Sequence, residues 1–166
     1  MMCPGTWGYD NTITRPSYDP AKAKQFLIDG GKPSGFTVDL GTTNSADQTL
    51  ESQMIQANLA AIGISMNIKL YDNATVTSKF FTTTEFPIYL TTWSRKLDPD
   101  ALAYIYTSTG VYNAAKIGNP QIDALVAKGS AEYDQQKRFA IYHQINQMVT
   151  DDAWFTVGLY GQSYIG

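Results

Sequence analysis

One cysteine and one histidine in 166 residues leave little material for metal or nucleophilic chemistry. Cys3 alone excludes an intrachain disulfide and any multi-cysteine metal site. His143 is the only imidazole available to a Ser-His-Asp relay, and no Gly-x-Ser-x-Gly elbow accompanies it. Zinc-ligand spacing and a phosphate-cradling Gly-rich loop are both missing. No metal, no cofactor and no catalytic residue is therefore expected, and the chain is not read as an enzyme. Charge is sparse too: 16% of residues are charged, the net charge is −3, and no Lys/Arg run stands out. Nucleic acid is excluded as a general partner, because phosphate neutralisation needs a concentrated basic footprint. No stretch approaches the about 20 apolar residues that span a bilayer, so membrane insertion is not expected. The opening Met1-Met2-Cys3-Pro4-Gly5 lacks the basic and apolar regions of a secretory signal. Either the chain is cytoplasmic, or it is a piece of something larger whose signal lies elsewhere.

What is present suits a globular fold: 43% of residues are apolar, enough for a core. Residues 1–17 are rich in Gly, Pro, Thr and aromatics without period and read as an irregular lead-in. Asp19-Pro20 then opens a helix packed through Ala21, Ala23, Phe26 and Leu27, which Gly30-Gly31 stop. The alternation of 36–40 predicts a strand, followed by a polar loop from Gly41 to Asp47. Leu50, Met54, Ala57 and Ala61 recur at helical spacing, with Ile55, Leu59 and Ile62 beside them, up to a stop at Gly63. Ile64, Met66, Ile68 and Leu70 alternate as a second strand; 76–81 predicts a short helix and 86–90 a third strand. This succession of strands and helices predicts an α/β fold, a layered sheet with flanking helices and parallel pairing. Three more helices follow, around Leu102-Ile105-Tyr106, from Asn119-Pro120 with Ile122, Leu125 and Val126 inward, and from Asp134 with Phe139, Ile141, Tyr142, Ile145, Met148 and Val149 as its stripe. A closing strand is predicted over 154–160.

The stretch Thr91-Thr-Trp-Ser-Arg-Lys-Leu-Asp-Pro-Asp100 directly follows the third strand. Open α/β sheets bind ligands at the carboxyl ends of their strands. Trp93 therefore reads as a stacking platform, or else as a core tryptophan capping the sheet edge. Ser94, Arg95 and Lys96 read as polar contacts to ligand; for the two cations the alternative is a solvated loop. Asp98, Pro99 and Asp100 read as a turn and helix cap rather than a catalytic carboxylate pair. Thr42, Thr43 and Asn44 follow the first strand and line a cleft or an exposed loop, and Asn113 donates to ligand or serves a turn. His143 falls off its helix's apolar stripe and reads as a surface histidine.

In order along the chain, these residues resemble a known family. Tyr18-Asp19-Pro20-Ala21-Lys22-Ala23-Lys24 with Gly31-x-Pro33-x-Gly35-Phe36-Thr37, then Ile55 to Ile64, Trp93-Ser94 with Asp98-Pro99-Asp100, Asn119 to Leu125, and Gln136 to Phe155 carry the resemblance. Together they are similar to the C-terminal lobe of solute-binding proteins of the dipeptide, oligopeptide and nickel class, family 5 of the extracytoplasmic receptors of ABC importers. The resemblance implies one lobe, residues 18–166, of a two-lobed periplasmic-binding-protein fold. It implies a small solute held in a cleft that closes against a second, N-terminal lobe absent here, an ABC permease as partner of the intact receptor, and an extracytoplasmic location. The alternative reading is an interaction module that docks on a permease or another partner without binding solute. One departure bears on specificity. Peptide-binding members place an Asp shortly after the motif tryptophan to pair with the peptide ammonium, where this chain has Arg95-Lys96. That reversal favours a carboxylate, phosphate or polyol over a peptide amino terminus.

Overall fold

Helix starts in this chain are written in short polar side chains. In the computed structural model, which describes residues 2, 4–94, 96–114 and 116–155, the side chains of Asp19, Ser45, Asp72, Asn119 and Asp134 each accept a backbone N–H two or three residues on. They open α1 (Pro20–Asp29), α2 (Ala46–Ala60), α3 (Asn73–Phe81), α5 (Pro120–Ala131) and α6 (Gln135–Asp151). Between α3 and α5 lie a 3-10 turn, Pro99–Leu102, and the short α4, Ala103–Tyr106. Among the described residues the strands are β1 (Thr37–Thr43), β2 (Ser65–Tyr71) and β3 (Ile88–Tyr89). Contacts group the chain into two compact units, residues 16–93 and residues 1–15 with 94–166.

The unit of residues 16–93 is the α/β part. Its sheet has the order β2-β1-β3, both pairings parallel, with Thr37 opposite Ser65 and Leu40 opposite Ile88. Leu40, Ile64, Met66, Val76 and Phe86 form its buried apolar residues. Both helix exits into the sheet use left-handed glycines. Gly31 and Gly63 have φ of 72° and 92°, and the next residues close matching bonds, Lys32 N to Leu27 O at 2.7 Å and Ile64 N to Leu59 O at 3.0 Å.

Several expectations change here. β1 continues through Gly41, Thr42 and Thr43, which had read as loop. Gly41 belongs in a central strand because the Phe86 ring lies where its Cβ would be. The Leu50-Met54-Ala57-Ala61 stripe of α2 faces outward, with Leu50 and Met54 59% and 61% exposed. The inward face instead holds Gln48 and Ser52, with Ile55, Gln56 and Leu59 half-buried. These polar side chains are satisfied locally, Gln56 Nε2 donating to Met66 O at 2.6 Å and Ser52 Oγ to Thr49 O at 2.7 Å. Apolar periodicity misleads where hydrogen-bonded polar groups occupy the buried face. Likewise no residue of α1 is buried, so Phe26 does not pack as expected. β3 pairs over two residues rather than five, extended by Leu90 N donating to Gly41 O at 3.1 Å.

The second unit is helical among its described residues. Its core joins Met2, Leu102, Tyr106, Ile122, Val126, Ile141, Tyr142, Ile145 and Val149, the stripes expected for α5 and α6. Trp154 and Phe155 are not in a strand, and 156–160, the rest of the expected closing strand, lie outside the described residues.

Candidate functional site

At the carboxyl ends of β1 and β3 the first unit opens a cleft of about 430 Å³. Its walls are Thr43, Asn44, Ser45, Asp47, Gln48, Asn73, Thr91 and Thr92, a lining of hydroxyls and carboxamides with one carboxylate. Thr43 and Asn44, expected at a ligand cleft, are here, and Thr91 and Thr92 join them directly before Trp93.

Gln48 organises the cleft. Only 8% exposed, its Oε1 accepts from Thr42 Oγ1 at 3.2 Å, from the Thr43 amide at 3.3 Å and from the Thr43 hydroxyl. Its Nε2 donates to Thr92 Oγ1 at 3.1 Å. One carboxamide thus ties the end of β1 to the segment after β3. Sequence reasoning missed Gln48, although Ser45-x-x-Gln48 is the spacing of a capping box, which marks a Gln that reaches back over a helix start. Here it reaches past the cap to the strand before it.

The other expected residues lie as follows. Trp93 is 42% exposed at the end of the first unit. In the second unit Ser94 is exposed and accepts from Lys96 Nζ at 3.4 Å; Arg95 lies outside the described residues. Asp98 caps the 3-10 turn, accepting from Asp100 N at 2.9 Å, while Pro99 is buried. Asp100, expected as the cap, instead turns to Ser130 Oγ at 3.0 Å, to the Tyr142 hydroxyl and to Arg138. The bidentate Arg138 guanidinium holds the Asp98 carboxyl below the usual carboxylate range, against partial burial. Asn113 serves its own loop. It is buried, and its carboxamide is consumed by Thr107 O, Ile117 O and Ile117 N at 2.9, 2.6 and 3.1 Å.

His143 is more than a surface histidine. Its Nδ1 pairs with the Asp10 carboxylate, whose side chain is 6% exposed, beside a groove walled by Tyr9, Phe139 and Ala140. The Thr12 hydroxyl, then the His143 pairing and the Thr12 amide, lower the Asp10 pKa to about 2 against the opposing effect of burial. A folded-state value below the unfolded one stabilises the fold above about pH 4, and this is lost as pH falls from about 4 to about 2. Asp10→Asn is expected to lower the urea midpoint at about pH 6 and to match the unsubstituted chain at about pH 2. Equal midpoint differences at both pH values would show that the carboxylate charge contributes nothing. Among the described residues no cluster of three or more His, Cys, Asp or Glu is arranged to hold a metal ion. No helix among them is long and apolar enough to cross a membrane.

A parallel α/β sheet with a polar cleft at its carboxyl edge is the architecture of a periplasmic-binding-protein lobe. Residues 1–116 match the model of the bacterial extracellular solute-binding proteins, family 5 (middle), and the chain belongs to that family. It is 31% identical to the oligopeptide-binding protein OppA of Mycobacterium bovis, over 87% of this chain and 26% of that protein. Among solved structures it resembles the ABC transporter-associated periplasmic binding protein DppA from Helicobacter pylori in complex with peptide STSA, at 27% identity and a TM-score of 0.81, covering 92% of this chain and 31% of that one. It also resembles the PBP AgaA in complex with agropinic acid from A. tumefacien R10, at 27% identity and a TM-score of 0.80, covering 90% and 32%. The chain spans about 30% of the length of the curated relatives it matches.

Proposed function

We propose that this chain supplies one wall of the solute cleft of an extracytoplasmic receptor serving an ABC importer. The observation that carries this reading is the polar cleft at the carboxyl ends of β1 and β3 in a member of solute-binding family 5. Thr43, Asn44, Thr91 and Thr92 offer hydroxyl and carboxamide contacts, Thr43 and Thr92 held in place by Gln48, and Trp93 offers a ring face next along the chain. Ser94, Arg95 and Lys96 are proposed as further contacts on the sequence resemblance rather than on this cleft. In the intact receptor a second lobe closes over the solute by hinge motion, and the permease receives it. The solute class is a small polar compound, peptide-like, opine-like or sugar-like, and the role is binding without turnover.

Half of a clamp leaves its ligand partly wet, so the 166-residue chain is expected to bind weakly, in the millimolar range. A thermal-shift screen against dipeptides, opines, sugars and organic acids tests this, since a ligand of the folded state raises the midpoint once its concentration exceeds its Kd. Trp93→Ala is expected to remove the shift, a loss of about tenfold or more in affinity, while moving the unliganded midpoint little because the ring is substantially exposed. A shift that survives the substitution would remove Trp93 from the site. Micromolar binding by the chain would overturn the half-clamp reading, and no shift from any solute at millimolar concentration would overturn solute contact by this chain alone.

The interaction-module reading draws on a different feature, the outward apolar side chains of α1 and α2, Phe26, Leu50 and Met54. It would be favoured by concentration-dependent association in sedimentation together with an empty solute screen.

A further inference from the structure

We infer that Arg138 is the positioning residue of the Asp98–Ala101 turn, which closes the polar stretch after Trp93. Its guanidinium is used on every side. Nε donates to Gly129 O at 3.0 Å, at the end of α5. Nη1 and Nη2 grip the two oxygens of Asp98 at 2.9 and 2.7 Å, and Nη2 also reaches Asp100 at 3.1 Å. The plane lies 4.8 Å from the Trp7 ring centroid and 5.2 Å from that of Tyr142, and the Tyr142 hydroxyl donates to Asp100. The side chain is 16% exposed, against 53% for Asp98 and 41% for Asp100.

The asymmetry gives the arrangement its meaning. A stacked, largely covered fork on a helix reaches out to hold two more exposed carboxylates of a turn, so it fixes the turn more than it supports the helix. Bidentate pairing sets orientation as well as distance, which the point charge of a lysine does not. Asp98 in turn receives the Asp100 amide through its side chain and the Ala101 amide through its carbonyl, at 2.9 and 3.2 Å. Arg138 therefore governs whether this turn has one shape or many. Preorganisation of a contacting segment raises affinity by removing the ordering cost from the binding step. The consequence for solute rests on the reading that the segment contacts it; the control of its shape does not.

The test is amide hydrogen exchange on the 166-residue chain with Arg138→Lys and Arg138→Gln. Exchange at Asp100 and Ala101 is expected to rise at least tenfold in Arg138→Gln and less in Arg138→Lys, while Ile145 and Val149 in α6 keep their protection. Unchanged exchange at the turn would overturn the inference, and so would an equal rise at Ile145 and Val149, which marks a general structural role. Should Arg138→Gln fail to fold, Asp98→Asn, altered at an exposed carboxylate, gives the same readout. A parallel NMR titration with Ala-Phe and with agropinic acid is expected to show at least a fivefold weaker Kd in Arg138→Lys. Looser exchange with undiminished affinity would overturn the solute half of the inference. No binding of either probe to the unsubstituted chain would count against the cleft reading, and the exchange result would still decide the role of Arg138.

Discussion

Gly35→Ala is expected to destabilise the chain by about 4 kcal/mol, enough to abolish cooperative unfolding in a marginal domain. Gly35 has a φ of 73°, a left-handed conformation that disfavours any Cβ. A Cβ there would also fall within the van der Waals radius of the Gly63 carbonyl oxygen. The two glycines stand two residues before β1 and β2, whose first residues, Thr37 and Ser65, are register partners. Ser65 N donates to Phe36 O at 2.9 Å, so the loops into two parallel strands run against each other. Backbone meets backbone there, and no side-chain rotamer can relieve the overlap. Urea unfolding by circular dichroism measures the effect; a loss under about 1 kcal/mol would mean that the two loops separate freely. Gly63→Ala tests the same contact from the other side. It has the less favourable φ of 92° but ordinary space around its Cβ, so it should cost less than Gly35→Ala.

Gln48→Leu is expected to cost about 3 kcal/mol and to collapse the cleft's shape. Leucine keeps the volume but removes the acceptor of the half-buried Thr43 amide and the donor to Thr92. An unpaired buried N–H costs about 1–3 kcal/mol, and Thr43 and Thr92 would lose their fixed rotamers as well. Thr42 is spared, because its hydroxyl also reaches Leu90 O at 3.0 Å. Gln48→Glu gives the contrast. A carboxylate keeps the acceptor for Thr42 and Thr43 but cannot donate to Thr92, so stability falls less while any solute shift falls nearly as far. Equal stability of Gln48→Leu and the unsubstituted chain would mean that water replaces the carboxamide and that the cleft does not depend on it.

Most of the element order was legible before the structure. Caps announced themselves at Asp19, Asn119 and Asp134, and Gly31 and Gly63 marked the helix ends, because both are local effects decided within a few residues of backbone. The caps at Ser45 and Asp72 were not read, and α3 begins at Asn73 rather than Val76. The stripes of α5 and α6 were equally legible, since one face of each meets an apolar core. The alternation read for β2 held for Ile64 and Met66, which are buried, but not for Leu70, which is exposed. Where the sequence misled, a polar group had taken a buried position. Leu50 and Met54 gave α2 its periodicity, yet Gln48 and Ser52 face inward because their partners lie on the strands and on the helix's own backbone. Arg138 drew no notice in the sequence, and of the two readings of Asn113, ligand donor or turn residue, its bonds match the turn.

By itself the sequence determined the α/β pattern, the helix boundaries, the family resemblance and the stretch from Thr91 to Asp100 as the place of interest. Only the tertiary structure decided that Gly35 must have no side chain, that Gln48 holds the cleft and that Arg138 holds the Asp98–Asp100 turn. The reason is physical. Caps, turns and amphipathic periods are set by neighbours along the chain, whereas the worth of a glycine contact, a buried carboxamide or a bidentate fork depends on partners that folding alone brings within 3 Å or so.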